Sequence, residues 1–140
     1  MALAANDLTQ GQQFSAALVD DLKRTQIVQY AGASGDYNPL HTDEVFATKV
    51  AGYPTVFAHG MLTMGMTGRL LTDTFGDGRL TTFGGRFSSQ VFPGDDLTAT
   101  ATVDRIRQEG DEWFADVSVS TTNQDGTEVF RGTATARLDA

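Results

Sequence analysis

The sequence predicts an α+β fold in which an antiparallel β-sheet wraps around one long central helix. Two observations carry that expectation. From Leu97 onward, apolar and polar residues alternate with period two in three runs separated by turn residues. Before them, "HGMLTMGMTGRLLTDTF" is apolar almost all round, the pattern of a buried helix.

The elements follow in chain order. A short strand is expected near residues 14–18. Ile27, Tyr30, Ala31 and Ser34 then fall at i, i+3, i+4 and i+7, one stripe of a helix for which Thr25 is placed as N-cap. A second short helix is expected over residues 43–50, capped by Thr42, with Asp43 and Glu44 suiting its positive end. In the central helix Met61, Met64, Leu71 and Phe75 share a face with Gly65 and Gly68, while Leu62, Met66 and Leu70 lie elsewhere around it. Glycine costs helix propensity, so close packing against a sheet is the expected return. A strand over residues 83–91 precedes the alternating runs. Leu97, Ala99, Ala101 and Val103 mark the inner face of the first run. Trp113, Ala115, Val117 and Val119 mark that of the second, and Phe130, Gly132, Ala134, Ala136 and Leu138 that of the third. The separators "PGDD", "QEGD" and "NQDG" are turn chemistry and predict an antiparallel meander.

At 140 residues, the chain reads as one domain over 1–140, long enough to bury roughly 70% of its unfolded surface. A hydrophobic content of 40% against 20% charged residues argues against disorder. The formal net charge of −8 argues against nucleic acid as a partner, because phosphates call for a basic surface. With no cysteine there is neither a disulfide framework nor a thiolate nucleophile. "MALAANDLTQGQ" lacks the basic and apolar regions of a signal peptide, and no apolar run approaches a membrane span. A cytoplasmic protein without membrane insertion is therefore expected. "FGDGR" is a turn and not a phosphate loop, and no Asp, Glu or His spacing suggests a metal site.

The chemistry is concentrated in "SGDYNPLH", residues 34–41, which holds Asp36 and one of only two histidines, His41. Gly35 permits a positive φ, while Pro39 fixes its own φ and pushes Asn38 out of the helical region. A loop pinned in this way can aim a carboxylate and an imidazole at one water molecule, one taking its proton while the other orients it or supplies a proton. The plainer alternative has Asp36 closing an Asx-turn and His41 capping the next helix. His59 is expected to contact the helix end or the core.

"YAGASGDYNPLHTDEVFA" resembles the signature of the MaoC-like (R)-specific enoyl-CoA hydratases, also called hydratase 2. The likeness extends to "FAHGMLTMG" and, more loosely, to "RFSSQVFPGDDL". The mycobacterial (3R)-hydroxyacyl-ACP dehydratases, in particular their catalytic β-subunit, are similar too. The resemblance implies a hot-dog fold and interconversion of 2-enoyl and (3R)-3-hydroxyacyl thioesters, carried on coenzyme A or acyl carrier protein, with no cofactor or metal. It implies that Asp36 and His41 are the catalytic pair and that the Gly60 amide polarises the thioester carbonyl. Within the same signature Asn38, Ser34 and Tyr30 are the substrate-binding candidates. Met61 suits the wall of an acyl channel or the core, and Arg86 or Lys49 suits the carrier phosphates or plain solvent. Open sheet edges lead to the expectation of a homodimer or a heterodimer with a homologous subunit. A non-catalytic acyl-binding subunit and an acyl thioesterase on the same fold are the alternatives.

Overall fold

The three alternating runs form β3 (Leu97–Glu109), β4 (Glu112–Thr122) and β5 (Glu128–Leu138), in the computed structural model, which describes residues 2–140. They pair as the expected antiparallel meander. Two earlier strands, β1 (Gln13–Val19) and β2 (Leu80–Phe87), flank them, giving the order β1-β3-β4-β5-β2. Both edge strands are antiparallel to their neighbours. The inner face is the one the alternation marks: Leu97, Ala99, Ala101, Val103, Ala115, Val117, Val119, Phe130, Ala134, Ala136 and Leu138 are all buried.

Five of those inner residues are alanines, and their small side chains let a helix lie close to the sheet. That helix is α2 (Gly60–Phe75), packed against β1, β2, β3 and β5. Its buried face is Thr63, Thr67, Leu70, Leu71 and Phe75, whereas Met61 is exposed. The apolar stripe expected to begin at Met61 is thus rotated. Thr67 can enter the core because its hydroxyl donates to the Thr63 carbonyl and bonds the Thr121 hydroxyl at 2.6 Å. Gly68 packs as expected: a Cβ there would lie 3.2 Å from the Phe83 ring. Gly65 faces open space, so packing does not account for it.

Several boundaries differ from the sequence reading, each for a local reason. The first helix, α1 (Arg24–Ser34), begins with Lys23 in the cap position, and the Gln26 side chain accepts from the Lys23 amide. Thr25 is inside the helix. The second expected helix is a π-helix, Phe46–Val50, preceded by a single helical turn. Its start is capped by the Asp43 carboxylate, which accepts from the Phe46 amide at 3.1 Å, and not by Thr42. Glu44 turns away from the helix end to Arg24 and Thr55. β2 covers residues 80–87, not 83–91; the Ser88 amide makes a last bond to the Val129 carbonyl at 2.9 Å, and the Val91 carbonyl then accepts from the Ala58 amide at 2.7 Å. That bond ties the segment after β2 to the entry of α2.

Candidate active site

α1 ends where Gly35 takes the left-handed conformation, φ 76°, and its amide bonds back to the Ala31 carbonyl. A side chain is strained there, so glycine allows the chain to turn sharply into Asp36. Each following residue is then held by its neighbour. The Ser34 hydroxyl accepts from the Asp36 amide, Asp36 Oδ1 from the Asn38 amide, and Asn38 Oδ1 from the Leu40 amide. Pro39 opens a 3₁₀ turn, Pro39–His41, with Asn38 as its cap. Thus the Asx-turn reading is correct for one oxygen of Asp36. The other oxygen faces His41.

Asp36 Oδ2 lies 3.9 Å from His41 Nε2. The His41 side chain is 10% exposed and that of Asp36 53%. His41 does not cap the next helix; its Nδ1 sits 2.6 Å from the Phe57 carbonyl oxygen. A carbonyl only accepts, so Nδ1 carries the hydrogen and a neutral His41 presents a bare lone pair at Nε2. Two acceptors therefore face one another across 3.9 Å, too far for a direct hydrogen bond. One water donating to both through arms of about 2.8 Å would span roughly 4 to 4.5 Å. The gap suits one water molecule.

His59 closes the back of this site. It is 2% exposed, its ring stacks on His41 at 3.7 Å, and its Nε2 lies 3.0 Å from the Asp36 carbonyl oxygen. Asp36, His41 and His59 thereby form a cluster whose ligand-type atoms lie within 4.8 Å of one another. The Asp36 carbonyl can only accept, so His59 Nε2 carries a hydrogen and offers no lone pair to an ion there. His59 lies at the helix end and in the core, as expected, but its stacking on His41 has no local signature, because the two histidines are 18 positions apart.

The remaining candidates are distributed unevenly. Tyr30, on α1, sets its ring edge-on to His59 at 4.8 Å. The hydrogen bonds of Ser34 and Asn38 run to the main chain of the loop. Gly60 is the first residue of α2, so its amide has no acceptor within the helix. It lines a cavity of about 220 Å³ with Phe57, Thr63, Phe87 and Val91. Thr63 was not foreseen: its hydroxyl is buried and has no hydrogen-bond partner among the described residues, one turn along α2 from Gly60. A threonine within an apolar helix was the available signal. Met61 and Phe87, 55% and 49% exposed, flank the Gly60 entrance. Arg86 alternates with Phe87 and points away from this cavity, lining a groove of about 610 Å³ on the outer face of the sheet with Arg131.

One charged group anchors the surroundings. The Arg24 guanidinium, then the Thr55 hydroxyl, hold the Glu44 carboxyl below the usual carboxylate range, against the opposing effect of desolvation. Glu44 also accepts from the Val56 amide, so α1 and the segment leading to Phe57 are tied at one carboxylate. That segment supplies the carbonyl that orients His41.

This architecture and sequence have relatives. The family described as "MaoC like domain" matches residues 6–127. The (R)-hydratase from A. caviae involved in PHA biosynthesis superposes with a TM-score of 0.82 at 28% identity, covering 94% of this chain and 97% of that one. 3-Hydroxyacyl-thioester dehydratase Y of Mycobacterium tuberculosis is 46% identical over 68 residues, 46% of this chain and 23% of the relative. The peroxisomal enoyl-CoA hydratase 2 of Arabidopsis thaliana is 40% identical over 77 residues, 53% of this chain and 25% of the relative. The matches thus span about a quarter of those two curated relatives. With the family match covering most of its length and the five-stranded sheet around α2 in place, the chain belongs to the MaoC-like domain family and has its hot-dog fold.

Proposed function

We propose that the protein interconverts 2-enoyl and (3R)-3-hydroxyacyl thioesters by syn addition or loss of water. The observation that carries this reading is the 3.9 Å gap between two acceptors, Asp36 Oδ2 and His41 Nε2, with the opposite nitrogen of His41 engaged by a carbonyl. In the hydration direction the water oxygen bonds to C3 of the enoyl group and one water proton passes to the pair. Asp36 is the base toward water and His41 the partner in proton transfer. The electron pair of the C2–C3 double bond moves toward the thioester carbonyl, forming an enolate, and C2 then takes a proton from the pair. No electron acceptor enters this balance, so the reaction calls for no redox cofactor.

Charge on the enolate oxygen needs a donor. The Gly60 amide is suited to it, from its own hydrogen and from the positive end of α2, while the absent side chain leaves the backbone approachable. Tyr30, Ser34 and Asn38 support the loop that presents the pair, and Met61 borders the acyl path. Arg86 can serve only a carrier phosphate that reaches the outer face of the sheet. The carrier is coenzyme A or acyl carrier protein, and the setting is cytoplasmic. Among the described residues no helix is long and apolar enough to cross a membrane. The exposed Met61 and Phe87, together with the open edge of β2, favour assembly with a second hot-dog subunit.

The variants Asp36→Asn and His41→Gln test the pair. Both keep a polar side chain but remove the titrating group, so turnover should fall by about 10²- to 10⁴-fold. If the loop is only structural, each instead costs about 1 kcal/mol of stability with turnover nearly intact. Either variant retaining more than about a tenth of wild-type turnover, measured beside its melting temperature, defeats this reading.

A further inference from the structure

We infer that His59 is a positioning residue that sets the spacing of the Asp36/His41 pair and its register against the start of α2, an inference that rests on the hydration reading. Three contacts carry it. Its Nε2–H donates to the Asp36 carbonyl at 3.0 Å, holding the main chain of the residue whose carboxylate faces the water. Its ring lies against the His41 ring at 3.7 Å with an interplanar angle of 22°, so His41 cannot swing away from Asp36 on that side. Its own main chain is the N-cap of α2, one residue before the Gly60 amide. A single residue thus connects the main chain of Asp36, the His41 imidazole and the proposed oxyanion donor.

The chemistry of the ring fixes its state. Because the Asp36 carbonyl can only accept, Nε2 carries the hydrogen. Nδ1 is buried and has no hydrogen-bond partner among the described residues. The neutral His59 ring is therefore the Nε2–H tautomer, opposite to that of His41, whose hydrogen is on Nδ1. Tyr30, edge-on at 4.8 Å, braces the ring from α1.

Two variants separate the contacts. His59→Phe keeps a ring against His41 but donates nothing to Asp36, and His59→Gln keeps a donor but no ring. Each should lower kcat by about tenfold or more while KM stays within about twofold, because misplacing reacting groups costs rate more than binding. In the Asp36→Asn background His59→Phe should cost little further, since residues acting as one unit lose activity non-additively. Full repetition of the loss in that background, or an unchanged kcat in both single variants, overturns the inference. The tautomers give a readout free of activity and of the stability of these variants. Two-bond ¹H–¹⁵N spectra of the wild-type chain at alkaline pH should show His59 as Nε2–H and His41 as Nδ1–H, with His41→Gln assigning the signals. Nδ1–H at His59 also overturns it. An inactive wild-type chain with the expected tautomers would instead defeat the hydration reading alone.

Discussion

Asp36 does two jobs with two oxygens: Oδ1 closes the turn through the Asn38 amide, and Oδ2 faces His41. The turn reading and the catalytic reading of "SGDYNPLH" are therefore not rivals, since the turn is what aims the other oxygen. Gly60 shows the same economy. A Cβ there would lie 3.0 Å from three atoms of the Phe87 ring, so adding one methyl pushes that ring across the entrance to the amide. Phe87 is 49% exposed and able to yield, which keeps the cost to folding small. Gly60→Ala is accordingly expected to lower kcat/KM by about tenfold to a hundredfold, as misplacement near reacting atoms does. Steady-state kinetics and a melting curve on the same preparation check it; a large fall in melting temperature with kcat/KM preserved would contradict this account of Gly60.

Among the elements, β2 and β5 meet through a pair of glycines whose positions the sequence pattern alone does not explain. Gly85 lies opposite Gly132, and the Phe130 ring fills the space above them. A Cβ on Gly85 would lie 2.4 Å from the Arg131 carbonyl oxygen and 2.6 Å from the Phe130 ring, whereas one on Gly84 meets nothing within 4 Å. Gly85→Ala should therefore destabilise by about 1 to 3 kcal/mol, the range for overpacking, and Gly84→Ala by far less. Urea unfolding of the two variants decides; equal midpoints would remove the close approach as the reason. The same contrast explains what could be read beforehand. β3, β4 and β5 were legible because period-two alternation over long runs leaves one face to bury. The loop around Asp36 was legible because Gly35, Asn38 and Pro39 restrict backbone dihedrals locally. Thr63 and Thr67 on the buried face of α2 were not, since their burial depends on partners such as Thr121, 54 positions away from Thr67. The end of β2 was missed for a similar reason: the Ala58 amide draws residue 91 toward α2, a contact without any local signature. The place of His59 at the helix end and in the core was legible, but its stacking on His41 was not, because that is a tertiary fact.

For the whole molecule, the sheet order leaves β1 and β2 as open edges, and the β2 edge lies beside the exposed Met61 and Phe87. An unpaired edge next to apolar side chains favours association. The active species is accordingly expected to be a dimer, of identical chains or of this chain with a homologous subunit, and light scattering showing a stable, active monomer would contradict it. What the protein does to a thioester is decided by following one reaction in two ways. The purified protein is mixed with crotonyl and longer 2-enoyl thioesters while enoyl absorbance and free thiol are recorded together. Hydration by the Asp36/His41 pair predicts loss of the enoyl absorbance with no thiol released. Thiol release that accounts for the absorbance change, or no change with any chain length on either carrier, would contradict it.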